Sequence, residues 1–282
     1  MGKHLRIALL IASLLLLGSC SRLELAYRNL DWLIPWSLDN YVSLSKQQKI
    51  WLKPRLNKHI AWHCKTQLPA YAAWLQRSKT LVSEAQPSDE QFDAQFAEFR
   101  QAVDAIFVQV APDLSELLRS LSEAQVQELR TSLVRQNKEQ QEDYLQPSLA
   151  EQIDERAERM EERLLPWFGR LHSEQKARVT AWSQQLGDYN QDWLSNNQRW
   201  QQAFLAALQE RQGEQFPTQM GQLLRERMSV WTPAYRQRFL DAEAALGSLF
   251  ADLLSSADDK QREHLQTRLE GARKQLSELT CP

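Results

Sequence analysis

The chain has 282 residues, 43% hydrophobic and 25% charged, with a formal net charge of −2 and eight glycines. That balance excludes the basic footprint of a nucleic-acid binder and supplies no polybasic patch for anionic lipid. The few glycines form no phosphate-cradling loop, so no nucleotide cofactor is expected.

Lys3, His4 and Arg6 precede an uncharged stretch from Ile7 to Leu17. It is too short to span a bilayer as a stable helix but suits the apolar core of a signal peptide. Leu17-Gly18-Ser19-Cys20 then resembles the bacterial lipobox. The resemblance implies cleavage before Cys20, a diacylglyceryl group on its sulfur and a fatty acyl group, such as palmitate, on the new amine. Each buried methylene contributes about 0.8 kcal/mol, so several chains anchor a protein durably. Ser21 after the cysteine, by similarity to enterobacterial sorting rules, implies the outer membrane with the chain facing the periplasm. Residues 1–19 are therefore expected to be the signal peptide, 20–44 a lipidated anchor and Trp-rich linker, and 45–282 a helical domain.

The body reads as helix almost throughout, in an elongated multi-helix bundle of one unit or two sub-bundles. Leu23, Tyr27, Leu30 and Ile34 form one stripe of a helix over 22–34 that ends at Pro35. Trp32, Trp36 and Tyr41 follow as a plug at the base of the bundle, with a seat among lipid headgroups as the alternative. Capping boxes open further helices at Ser45–Gln48, Ser88–Gln91, Ser122–Gln125 and Ser148–Glu151, and Thr232-Pro233 is a cap with Pro at the first helical position. The expected spans are 45–66, 69–84, 88–109, 113–120, 122–145, 148–168, 173–212, 217–230, 233–255 and 258–279. On the longest, Leu186, Tyr189, Trp193, Leu194, Trp200, Phe204 and Leu208 read as a continuous apolar seam. Ten tryptophans suggest a Trp-filled core. The charged run 154–163 reads as a solvated face.

Cys64 and Cys281 remain once Cys20 is lipidated, and an oxidising compartment makes them a candidate disulfide. A buried free Cys64 with a frayed Cys281 is the alternative. His59 and His63 stand one helical turn apart, but no Glu follows His59 as a zincin requires, so no metal is expected. No serine lies in a nucleophile elbow. Asp31 and Asp39 flank a Trp-Pro-Trp turn, where a cap and a turn already explain them. No catalytic residue and no cofactor are expected.

Leu44-Ser45-Lys-Gln-Gln48, Leu121-Ser122-Glu-Ala-Gln125 and Leu171-His172-Ser-Glu-Gln175 share the form L-x-x-x-Q. This is similar to the L-T-x-x-Q motif of the periplasmic Spy/CpxP helical chaperones, although capping boxes alone produce the same letters. Asn29-Leu30-Asp31-Trp32-Leu33-Ile34-Pro35-Trp36, Asp39, Tyr41, Trp62-His63, Pro69 and Tyr71 carry a broader resemblance. They resemble a family of uncharacterised bacterial lipoproteins, the domain of unknown function six-two-seven-nine, across essentially the whole mature chain. The resemblance implies a helical, lipid-anchored envelope protein and assigns no activity. The expectation is a non-enzymatic interaction or structural module, held to a membrane by lipid and meeting an unknown envelope protein partner, with no nucleic acid. A holdase-like chaperone is the first alternative, and an enzyme acting on envelope polymers the second.

Overall fold

The structure, a computed structural model, describes residues 20–84 and 87–281, with side-chain surroundings from Glu24 onward except at Arg227. Leu17, Gly18 and Ser19 of the expected cleavage signal lie outside the described residues. Cys20 opens the first helix. The described residues are all-α: α1 (Cys20–Arg28), α2 (Leu30–Leu38), α3 (Lys46–Trp62), a π-helical turn (His63–Gln67), α4 (Leu68–Val82), α5 (Asp89–Arg119) and α6 (Glu123–Tyr144). Then come α7 (Leu149–Phe168), α8 (Ser173–Leu186), α9 (Tyr189–Gln209), α10 (Phe216–Arg225), a 3₁₀ turn (Arg227–Val230), α11 (Pro233–Ser255) and α12 (Asp259–Glu278). Among the described residues no helix is long and apolar enough to cross a membrane.

Three apolar clusters organise the bundle. The first gathers Phe92, Met160, Val179, Leu249 and Leu253 with Leu75, Leu81 and Val82 of α4 and Leu265 and Leu269 of α12. The second gathers Val42, Leu117, Val126, Leu208, Phe216 and Met220. The third is small, built on Tyr27, Leu56, Ile60, Cys64 and Leu68. α5, about 46 Å long at 1.5 Å per residue, is the shared strut: Phe92 near its start enters the first cluster and Ala111 and Leu117 near its end enter the second. Val42 and Leu44 lie in the second cluster and Tyr27 in the third, so the segment before α3 packs onto the bundle.

Four helix starts meet in two pairs. Ser45 N donates to Gln48 Oε1, while Gln48 Nε2 reaches Gln125 Oε1 (3.2 Å) and the Ser120 carbonyl. Gln125 answers, from its Nε2 to Gln48 Oε1 (2.7 Å) and to the Ser43 carbonyl. Gln175 and Gln261 repeat the device in the other half: their side-chain amides bond reciprocally at 3.0 and 2.9 Å. Gln261 Nε2 also donates to the Arg170 carbonyl, and the amides of His172 and Asp258 donate to Gln175 Oε1 and Gln261 Oε1. The L-x-x-x-Q form is thus a structural clasp. Its fourth member, Asp258–Gln261, escaped the sequence pattern because Ala257 stands where the other three have Leu.

Several expected boundaries are corrected. α5 runs through Pro112 without a break. Pro112 is exposed and Val108, whose carbonyl loses its partner, is 53% exposed, so water can take the bond. α2 likewise runs through Pro35, and the break falls instead at Asn29, whose side-chain amide bonds the Leu25 carbonyl and competes with the helix. The span 173–212 splits at Gly187, which adopts φ +53°. The span 217–230 ends as α-helix at Arg225. The tryptophans do not fill the core either: of the ten, Trp182 alone is buried.

Candidate ligand-binding cleft

Between the two larger clusters lies a cleft of about 1180 Å³, lined from α5 through α11. The split at Gly187 builds one wall of it. α9 starts afresh at Tyr189 and presents Tyr189, Asn190, Trp193, Asn196 and Trp200 on one face, at spacings of one, three, three and four residues. Leu194, Phe204 and Leu208, on much the same side of the helix, are buried. The expected seam stays on one side of the helix: it lines the cleft at Trp193 and packs into the second cluster at Phe204 and Leu208, with Trp200 meeting both. Trp182, Trp193, Trp200 and Trp231 all line the cleft, with Tyr144 and Phe239 beside them. The rings brace one another: Tyr144 meets Trp193 edge-on at 5.5 Å, and Trp231 lies 5.0 Å from Phe239.

Six arginines face the same space: Arg100, Arg156, Arg159, Arg163, Arg225 and Arg236. Two carboxylates, Asp104 and Glu226, line it with them. Arg100 pairs with Glu243 and Arg159 with Glu155. The other four form no ion pair among the described residues. Arg156 is the most constrained of these. It is 8% exposed and donates to the carbonyls of Ser183 (2.9 Å) and Gly187 (3.0 Å) and to Asn190 Oδ1. Burial first, then the neighbouring Arg159 and Arg238, lower its pKa, which shows that its charge is held against a cost. Burial raises the pKa of Tyr189 and Tyr235, so both phenols stay protonated at neutral pH.

Two cleft residues keep a buried polar atom with no hydrogen-bond partner, Trp182 Nε1 and Asn196 Oδ1. Their side chains are 7% and 6% exposed. An orphaned donor or acceptor of this kind costs about 1–3 kcal/mol and is uncommon in native proteins; His59 Nδ1, Ser115 Oγ and Asn137 Oδ1 are further examples outside the cleft.

The sequence matches the family of unknown function DUF6279 over residues 40–236, a span that takes in every cleft residue named above except Phe239. The chain belongs to that family. No curated protein and no solved structure matches it. The DUF6279 match begins after Asn29–Asp39, so the expected whole-chain resemblance narrows to 40–236, with Tyr41, Trp62, His63, Pro69 and Tyr71 inside it.

The motif residues of this DUF6279 chain gather away from the cleft. His63 Nδ1 lies 3.1 Å from Tyr27 Oη, and His63 Nε2 lies 3.4 Å from Tyr71 Oη. Tyr27 Oη donates to the Ile60 carbonyl, so the consistent arrangement is His63 Nδ1–H donating to Tyr27 and Nε2 accepting from Tyr71. Burial lowers the His63 pKa, in keeping with this neutral ring. Trp62 packs edge-on to His63, and Pro69 sits in the first turn of α4. Tyr41 Oη accepts from Gln136, and Asp39 pairs with Lys49. Leu30 and Ile34 pack on the third cluster, Leu33 is half-buried, and Asp31 lies in the first turn of α2. Cys64 and Cys281 are joined, with Cα atoms 5.6 Å apart, fastening the tail after α12 to the π-helical turn.

His59 and His63 do not converge on one ligand. His59 Nε2 bonds Asp113 at 2.7 Å, and no group of three or more His, Cys, Asp or Glu with metal-holding geometry occurs among the described residues. Trp32 and Trp36 are not a plug. They stack at 6.0 Å on the exterior, 60% and 58% exposed. Only Tyr41 of the three packs inward, against the second cluster.

Proposed function

We propose that this chain is a lipid-anchored envelope protein, facing the periplasm at the outer membrane, that works by binding and not by catalysis. The observation that carries the binding half is the cleft. It joins aromatic faces, unpaired guanidinium groups and orphaned polar atoms in one concave space, the usual composition of a ligand site. The lipobox resemblance at residues 17–20 supports the anchor. The exposed Trp32–Trp36 stack supports it further: it begins twelve positions after Cys20, in reach of the headgroup layer where amphipathic indoles settle. A tether of this kind raises the effective concentration of the cleft toward envelope partners.

The holdase alternative draws on the aromatic side of the cleft. It leaves the arginines unexplained, because an apolar client would strand them desolvated. The L-x-x-x-Q form gives it no support, since those glutamines are occupied in the clasps.

Acyl labelling tests the anchor. Cells fed an alkyne-tagged fatty acid should label the wild-type chain and leave Cys20→Ala unlabelled and uncleaved. Equal labelling of both, or a mature wild-type protein that keeps residues 1–19, would overturn the anchored reading.

A further inference from the structure

The geometry points to an acidic oligosaccharide as the ligand of the cleft. This rests on the cleft being a binding site and is independent of the lipid anchor.

Size comes first. At about 1180 Å³ the cleft exceeds the roughly 300–1,000 Å³ of common small-molecule pockets, so it suits a ligand of several linked units. Charge comes second. Arg156, Arg163, Arg225 and Arg236 face the space without a carboxylate within ion-pair distance among the described residues, in a chain whose overall balance is acidic. A guanidinium group presents a planar fork matched to carboxylate or phosphate oxygens. The cleft is therefore locally cationic by construction and calls for an anion.

The remaining lining decides which anion. Trp193, Trp200 and Trp231 are half-buried, each offering part of a ring to the cleft. Sugar rings present flat C–H faces that such rings can cover, with hydroxyl groups around the edge. Side-chain amides complement those hydroxyls, and Gln136, Asn196, Asn197 and Gln201 supply four of them. The two orphaned atoms are of opposite kind, Trp182 Nε1 a donor and Asn196 Oδ1 an acceptor. A hydroxyl both donates and accepts, so a polyhydroxylated ligand can serve either atom after a small adjustment of the wall. A carboxylate-rich peptide would satisfy the arginines and Trp182 and could reach Asn196 Oδ1 only with a backbone N–H, but it offers no flat C–H faces to the tryptophans.

The test uses the full chain in mild detergent, followed by tryptophan fluorescence and calorimetry. The probe is a tetrasaccharide of alternating glucuronate and N-acetylglucosamine, beside the neutral N-acetylglucosamine tetramer and a hexaglutamate peptide. Saturable binding of the acidic tetrasaccharide is expected, at least tenfold tighter than the neutral one and than hexaglutamate. Arg163→Ala, on the exposed rim, should weaken it at least fivefold, and Trp193→Ala at least tenfold, with the far-ultraviolet circular dichroism and melting temperature of Arg163→Ala unchanged. Preference for hexaglutamate would overturn the saccharide and leave the binding cleft standing. Equal binding of the neutral tetramer, or affinity unmoved by Arg163→Ala, would overturn the charge assignment. No binding of any probe by the folded chain would overturn both the ligand class and the cleft as a site for it.

Discussion

The glutamine clasps and the cleft are built from the same side-chain chemistry and treat it in opposite ways. In the clasp of Gln175 and Gln261 both amides are buried, at 1% and 5% exposure, and each oxygen and nitrogen has partners. In the cleft Asn196 is buried as deeply, yet its oxygen has none. A satisfied buried amide fixes helix geometry, whereas an orphaned one lowers stability. Three further buried atoms without a partner, His59 Nδ1, Ser115 Oγ and Asn137 Oδ1, lie outside the cleft, so it is the gathering of two of them beside the arginines and aromatic rings that distinguishes this region from the clasps.

Three perturbations sharpen the contrast. The largest effect should come from the crosslink. Cys64 and Cys281 are 217 positions apart, and chain entropy alone puts their bond at about 5 kcal/mol, an upper figure for so long a loop. Cys64→Ser with Cys281→Ser should lower the denaturant midpoint by a large part of that. Binding in the cleft should be unaffected, since no residue of the third cluster lines it. Lost binding at a temperature where the variant is still folded would show that the two regions are coupled.

Arg156→Met comes next. It replaces a buried cation by an apolar chain of similar length but frees the carbonyls of Ser183 and Gly187 and the oxygen of Asn190. A loss of about 2 kcal/mol is expected from those acceptors, measured by urea unfolding. An unchanged midpoint would mean that water replaces the guanidinium at no cost.

The smallest of the three is a pH effect at His63. Its folded pKa is depressed by burial, so the unfolded chain binds the proton more readily. The corresponding stability is present above the ordinary histidine pKa of about 6.5 and is lost as pH falls below it toward the folded value. The melting temperature should therefore drop between pH 7 and pH 5, and His63→Gln should flatten that part of the profile. An identical slope in the variant would remove His63 as the cause.

Much of the helical order was legible because it is local. Ser45, Ser122 and Ser148 cap the helices they were expected to cap, since box geometry depends on four consecutive residues. The pairing of Cys64 with Cys281 followed from counting cysteines. The reach of Gln48 to Gln125 and of Gln175 to Gln261 was hidden, because it depends on how helices 77 and 86 residues apart come together. The cleft was hidden for a related reason. Trp193 and Trp200 recur at the spacing that any buried helix face shows, and Trp200 both packs on the second cluster and lines the cleft, so spacing alone does not separate the two uses. Pro112 misled in the other direction, because an exposed proline within a long strut costs less than a break would.

The most direct measurement compares one substitution at two sites. Gln175→Leu and Asn196→Leu each replace a buried amide with an apolar side chain of similar size, and urea unfolding in one buffer gives both stabilities. Gln175→Leu should lose about 3 kcal/mol, from the unpaired amide of Gln261 and the uncapped His172 N–H, while Asn196→Leu should change by less than about 1 kcal/mol in either direction. Equal losses at the two positions would mean that Asn196 is as well partnered as Gln175, and the distinction between clasp and cleft would fail.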